Sequence, residues 1–194
     1  MSVVIHEVSH GFVAYLLGDS TAKYAGRLTL NPVNHLDPFG SVILPAFLAL
    51  VGGPIIGWAR PVPYNPYNLK DQKWGPGLVA AAGPLSNIFV AIVFGILLRV
   101  IPVTSAFAAS LNVFFVMIIF INVLLAVFNL VPIPPLDGSK VLFALLPYRY
   151  QYIEEFLNKY GFIILIVFIL WLFPIIFPII DWIFTLITGQ GISL

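Results

Sequence analysis

Two apolar runs, residues 77–101 and 111–131, are each long enough to cross a hydrocarbon layer; the first carries only Arg99 and the second no charge. In lipid such a segment must satisfy its backbone internally, which leaves the helix as its form. The rest of the chain agrees: 60% of its residues are hydrophobic and 9% charged, where a soluble domain carries about a quarter charged. The expected fold is therefore an all-α polytopic membrane protein with about four to six membrane segments, forming a single membrane-embedded domain over residues 1–194. A net charge of +1, with no basic cluster interleaved with aromatics, gives no basis for binding nucleic acid. With no cysteine, the chain has no disulfide, no thiolate metal site and no thiol nucleophile.

Between the runs the punctuation is dense. Residues 3–17 read as a helix ended by Gly18-Asp19. Residues 19–40 are polar and turn-rich, and Gly26-Arg27-Leu28-Thr29-Leu30-Asn31 predicts a short strand. Residues 41–58 are apolar but broken by Pro45, Gly52, Gly53, Pro54 and Gly57, which predicts a broken span or a re-entrant loop. A Pro- and Asn-rich loop covers 59–76, and Gly83-Pro84 marks a kink in the first long run. Pro132, Pro134 and Pro135 force an extended stretch that presents Asp137 on a turn. Residues 139–160 read as an amphipathic connection, and 161–188 as a last apolar stretch bent at Pro174 and Pro178.

If 77–101 and 111–131 each cross once, loops 59–76 and 138–160 share a side. That side holds Arg60, Lys70, Lys73, Lys140, Arg149 and Lys159, against Arg99 opposite, so the expected cytoplasmic side is the one bearing Asp137.

Inside the apolar sequence at the start of the chain stands His6-Glu7-Val8-Ser9-His10. On a helix, positions i and i+4 project from one face, so His6 and His10 can share one metal ion. Glu7 then stands beside that ion, where a general base for water belongs. Ionisable residues are costly in a membrane-like segment, and zinc is the simplest reason for keeping these. Catalytic zinc takes a third protein ligand. The candidates are His35, Asp19, Asp37, Asp71, Asp137, Glu154, Glu155 and Asp181. Asp137 is the best placed, although Asp-Gly is also an ordinary turn pair and spacing leaves both readings open. The chemistry such a site predicts is metal-assisted hydrolysis, of an amide above all.

With HEVSHG at 6–11, AAGPLSN at 81–87 and NLVPIPPLDG at 129–138, the chain resembles the site-2 protease family of intramembrane zinc metalloproteases. Its GRLTLNP…HLDPFG segment (26–40) and WARPVPYNP loop (58–66) are similar to the bacterial type without a PDZ or CBS module. The resemblance implies one zinc ion per chain held by His6, His10 and Asp137, with Glu7 as the catalytic acid and base. It places Asn129 and Asn87 among the polar positions near the site, where they could donate to the scissile carbonyl or the substrate strand. The substrates it implies are transmembrane segments of membrane-bound regulators, met within the bilayer of a bacterial cell membrane. It also implies at least one more transmembrane helix before the HExxH helix, so the chain is expected to lack an upstream helix. Residues 26–31 are the expected edge strand for holding an unwound substrate.

Two other classes remain open to the sequence. A non-catalytic membrane metal-binding or partner-binding homologue would keep the ligands but have no use for Glu7. A transporter would want a polar path across several helices, and the long runs offer only Asn87, Asn112 and Asn122.

Overall fold

A computed structural model describes residues 1–52, 57, 59–102 and 104–191. Among these it contains helices and turns and no strand. The helices are α1 (Ser2–Leu16), α2 (Thr21–Tyr24), α3 (Leu44–Leu50), α4 (Gly75–Val100), α5 (Ala106–Asn129), α6 (Asp137–Leu145), α7 (Gln151–Val167) and α8 (Phe173–Thr188). A π-helical stretch, Phe168–Leu172, joins α7 to α8, so Tyr148–Thr188 runs on as 41 residues of helix.

Three of these helical segments are long and apolar enough to cross a membrane: Gly75–Val100, Ala106–Asn129 and Tyr148–Thr188. The sequence led to an expectation of four to six segments; among the described residues three are this long, and one shorter apolar helix is Pro38–Leu50. The chain is inside-out in the manner of a membrane protein. Phe89, Ile96, Phe107, Phe114, Ile163, Leu170 and Trp171 are exposed on the outer faces. The tightest packing is made by small and medium side chains between α4, α5 and α8, around Ala91, Ile119, Val123, Ile176, Ile180 and Phe184. Without a hydrophobic drive between helices in lipid, close approach depends on small residues. Gly95 is an example, since a Cβ there would collide with Ile187 of α8.

α4 is the scaffold of the molecule. Pro76 occupies its first turn, where a missing N–H costs nothing. Pro84 lies inside it and cannot bond the Ala80 carbonyl, so the ladder is interrupted just where α1 packs against it. α5 and α6 also lie against α4.

The expected strand over 26–31 is not formed; those residues make turns and bends. Their polar groups are satisfied locally: the Arg27 amide donates to Ala22 O, the Asn31 amide to Thr29 Oγ1, and His35 Nε2 donates to Thr29 O at 2.8 Å. Gly26, at φ +66°, closes the end of α2. A strand needs a partner ladder, and side-chain bonds of this kind compete with one. The segment 41–58 begins as a short apolar helix over Pro38–Leu50, about 20 Å long and below the length of a span. Gly53, Pro54 and Trp58 lie outside the described residues.

Candidate metal centre

His6 and His10 lie one turn apart on α1 and both are buried, their rings 4.6 Å apart and nearly perpendicular. They face α4, and Gly83 makes this possible: a Cβ at that position would stand 2.6 Å from the rings of both histidines. Asp137, the first residue of α6, comes to the same point from the other end of the chain. Its Oδ2 lies 3.1 Å from His6 Nε2 and 3.2 Å from His10 Nε2. The extended backbone of Leu136 aims Asp137 inward, and Gly138 lets the chain turn there, since a Cβ would strike the carbonyls of Leu130 and Val131.

The protons on the two imidazoles are assigned by what their other nitrogens touch. His10 Nδ1 lies 2.7 Å from Val79 O, which can only accept, so Nδ1 carries the hydrogen. His6 Nδ1 lies 2.6 Å from Asn87 Oδ1 and donates to it. Each ring therefore turns its Nε2 toward the same carboxylate oxygen. Two imidazole Nε2 atoms and a carboxylate oxygen converging in this way are held by a proton or a metal cation between them. Zinc fits the set. Tetrahedral ligands at about 2.0–2.1 Å from zinc stand about 3.3–3.4 Å from each other. The observed histidine–carboxylate separations are close to that, and one ligand atom from each residue lies within 4.8 Å of the others. Second bonds from ligating imidazoles to oxygen acceptors are also what metal sites require.

Two cavities meet at this cluster. One, of about 560 Å³, runs past Val3, Pro45, Gly57, Leu125 and Phe128 and is mainly apolar. The other, of about 200 Å³, holds His10, Asp137, Tyr64, Val79 and Lys140. His6, Glu7 and Asn129 line both. Glu7 is oriented by the loop at 59–68, whose Val62 amide donates to Oε2 at 2.9 Å. Asn129 bonds the Leu125 carbonyl with one amide hydrogen at the C-terminal end of α5. Burial and then the charge of Asp137 push the Tyr64 hydroxyl above its ordinary pKa, so it faces the site as a neutral phenol.

That loop is itself tied to the end of α1. Asp19, fully buried, accepts from the Asn65 amide at 2.6 Å, from Asn68 Nδ2 at 2.9 Å, and from both Thr21 donors. Burial opposes its ionisation, but these four donors outweigh burial and hold its carboxyl below the usual range. The Lys70 amide adds a bond to Leu17 O.

The residues singled out in the sequence are not all used alike. His6, His10 and Asp137 converge, and Glu7 and Asn129 stand at the edge of the same space. Asn87 is fully buried, and its amide hydrogens go to Asn122 Oδ1 and Ser2 O. The donor capacity that would serve a substrate is committed inside the protein. His35 is buried elsewhere, bonded to Thr29 O. Sequence reasoning missed Val79 and Val62, which act through backbone atoms that no side chain signals. It also passed over Asp19 as a structural tie. The Gly83-Pro84 pair was legible as a kink, but not as the seat of two imidazoles.

The comparisons with known proteins converge on one family. The model of "Peptidase family M50" matches residues 99–172. "Putative zinc metalloprotease YwhC" of Bacillus subtilis is 41% identical over 172 residues, which cover 86% of this chain and 75% of that protein. This chain belongs to peptidase family M50, the site-2 protease family. Another relative, "Putative zinc metalloprotease Rip2" of Mycolicibacterium smegmatis, is 30% identical over 191 residues, covering 93% of this chain and 70% of that protein. Proteases of family M50 use zinc. No solved structure matches the chain significantly.

Proposed function

We propose that the chain is an intramembrane zinc endopeptidase, hydrolysing peptide bonds in or near transmembrane segments of membrane-bound substrates. The observation that carries this reading is the pair of histidine Nε2 atoms aimed at the Asp137 carboxylate, beside a carboxylate that is not part of the cluster, Glu7.

His6 Nε2, His10 Nε2 and an Asp137 oxygen would hold one zinc ion. Zinc supplies Lewis-acid polarisation of the scissile carbonyl and lowers the pKa of water toward neutrality. Glu7 takes a proton from the attacking water as the new C–O bond forms, and passes it to the leaving nitrogen as the C–N bond breaks. Val62 holds one Glu7 oxygen in place, leaving the other to carry the proton. Asn129, at the junction of the two cavities, donates to the oxyanion with its remaining amide hydrogen. Asn87 holds His6 and does not touch substrate. The apolar cavity suits the side chains of an unwound membrane segment. The excess of Lys and Arg in loops 59–76 and 138–160 supports a site on the cytoplasmic side of the membrane.

The test is Glu7→Gln. Its side-chain oxygen can still accept from Val62, so fold and zinc content should match the parent, while cleavage of a transmembrane peptide library in detergent falls by about 10²–10⁴-fold. A parent that binds zinc and cleaves nothing, with Glu7→Gln indistinguishable from it, would instead indicate a metal-binding homologue.

A further inference from the structure

One buried polar side chain near the centre has no part in the chemistry above. Asn122 sits on α5, fully buried, with Asn87 on α4 and Ser2 at the start of α1 against it. Its amide nitrogen lies 2.8 Å from Ile118 O and 2.9 Å from Ser2 Oγ. A backbone carbonyl can only accept, so this end of Asn122 is the NH₂ group, and its Oδ1 faces Asn87. Only a donor can sit 2.8 Å from that oxygen, which makes the facing atom Asn87 Nδ2. The other Asn87 hydrogen reaches Ser2 O at 3.3 Å. What remains of Asn87 is its oxygen, and it lies 2.6 Å from His6 Nδ1.

We propose that Asn122 is a positioning residue for the metal centre, acting through Asn87 to decide which nitrogen of His6 carries the proton. The inference rests on the metal-binding reading of His6. The logic is a chain of forced orientations that starts at the Ile118 carbonyl. Rotating either amide by 180° would set like groups against each other, NH₂ on NH₂ or oxygen on oxygen, in a space closed to solvent. With both amides as observed, His6 carries its hydrogen on Nδ1 and leaves Nε2 bare. With Asn87 reversed, its NH₂ group would meet Nδ1 and favour the hydrogen on Nε2, the nitrogen aimed at Asp137. That tautomer cannot ligate through Nε2. Without the Asn122 oxygen, Asn87 is held against reversal only by its longer bond to Ser2 O. Asn122 lines neither cavity at the site, and it reaches His6 through Asn87, with Ser2 tying it to the start of α1.

A polar clasp joining α1, α4 and α5 would show the same contacts, and the experiment separates the two roles. Detergent-purified full-length chain is stripped of metal and titrated with Co²⁺, reading the visible cobalt band. Asn122→Ala should weaken Co²⁺ binding about 10–100-fold, the usual effect of losing a partner behind a metal-ligating histidine. Asn122→Asp, neutral in this site and able to present C=O and O–H where Asn presents C=O and NH₂, should restore the affinity. Ile119→Ala, which opens a cavity three residues earlier on α5 with no polar change, should leave it within about threefold of the parent. Parent-like affinity in Asn122→Ala, or an equal loss in Ile119→Ala, overturns the positioning role. A parent that binds no Co²⁺, or binds it equally after His10→Ala, overturns the metal centre itself. Should Asn122→Ala not yield folded protein, ¹⁵N spectra of histidine in the stripped parent still decide. They should show His6, assigned by its loss in His6→Asn, protonated on Nδ1; protonation on Nε2 overturns the proposal.

Discussion

The Nδ1–H of His10 donates to the Val79 carbonyl across the α1–α4 contact at 2.7 Å. The bond ties a side chain to a backbone atom 69 residues away. It fixes the ring plane and leaves Nε2 directed at Asp137. The depth of α1 against α4 is therefore part of the metal site, and several consequences can be measured.

Removing a ligand should remove the metal. About one zinc per chain is expected in the detergent-purified parent by elemental analysis. His10→Ala and Asp137→Ala should each fall well below half occupancy after dialysis, because two remaining donors hold zinc far more weakly than three. Full zinc in either variant would place the ion elsewhere.

Gly83 should tolerate no side chain. Its added Cβ would lie 2.6 Å from both imidazoles, and the atoms it meets are held by hydrogen bonds and cannot swing away. Gly83→Ala should cost about 1–3 kcal/mol in stability, the range for overpacking, and lower zinc affinity at the same time. The thermal midpoint and zinc content, measured together, check this; an unchanged pair would mean that α1 and α4 pack less closely than described.

Asn129→Ala should separate turnover from metal binding. The side chain borders both cavities, and its hydrogen bond goes to the Leu125 carbonyl, not to a ligand residue. If it stabilises the oxyanion, kcat falls about 10²–10³-fold with KM and zinc content little changed. A change in KM alone would assign it to substrate binding.

Asp19 should make the loop over the site acid-sensitive. Its folded pKa is depressed, so its contribution to stability is complete above the ordinary carboxylate value and is lost as pH falls through the lower folded one. The protection of the Asn65 and Lys70 amides, relative to intrinsic exchange at each pH, should therefore fall below about pH 4. Asp19→Asn should show faster exchange already at neutral pH, on the order of tenfold, as expected when hydrogen bonds to a charged acceptor are weakened. Protection that is flat with pH and equal in the variant would show that other bonds hold the loop.

The membrane class and the two histidines with Glu7 were legible because their signals are local. Long uncharged runs dictate helices in lipid whatever their neighbours do, and a spacing of four puts His6 and His10 on one face of any helix. Asp137 was legible as a carboxylate on an extended Pro-rich approach, but its meeting with histidines 127 and 131 residues away is a property of how α1 and α6 pack on α4. The strand expected at 26–31 did not form because alternation in sequence cannot report whether a partner edge is available, and here the polar groups close on one another. Asn87 illustrates the same limit. Its residue type and position suggested a donor to substrate, yet an amide offers both a donor and an acceptor, and only its neighbours decide which end faces the site. Ser2 and Asn122, distant in sequence, turn its oxygen to His6. Residue identity set what chemistry was available, and packing chose the atoms, because hydrogen-bond direction and ligand convergence depend on distances between helices that no local pattern encodes.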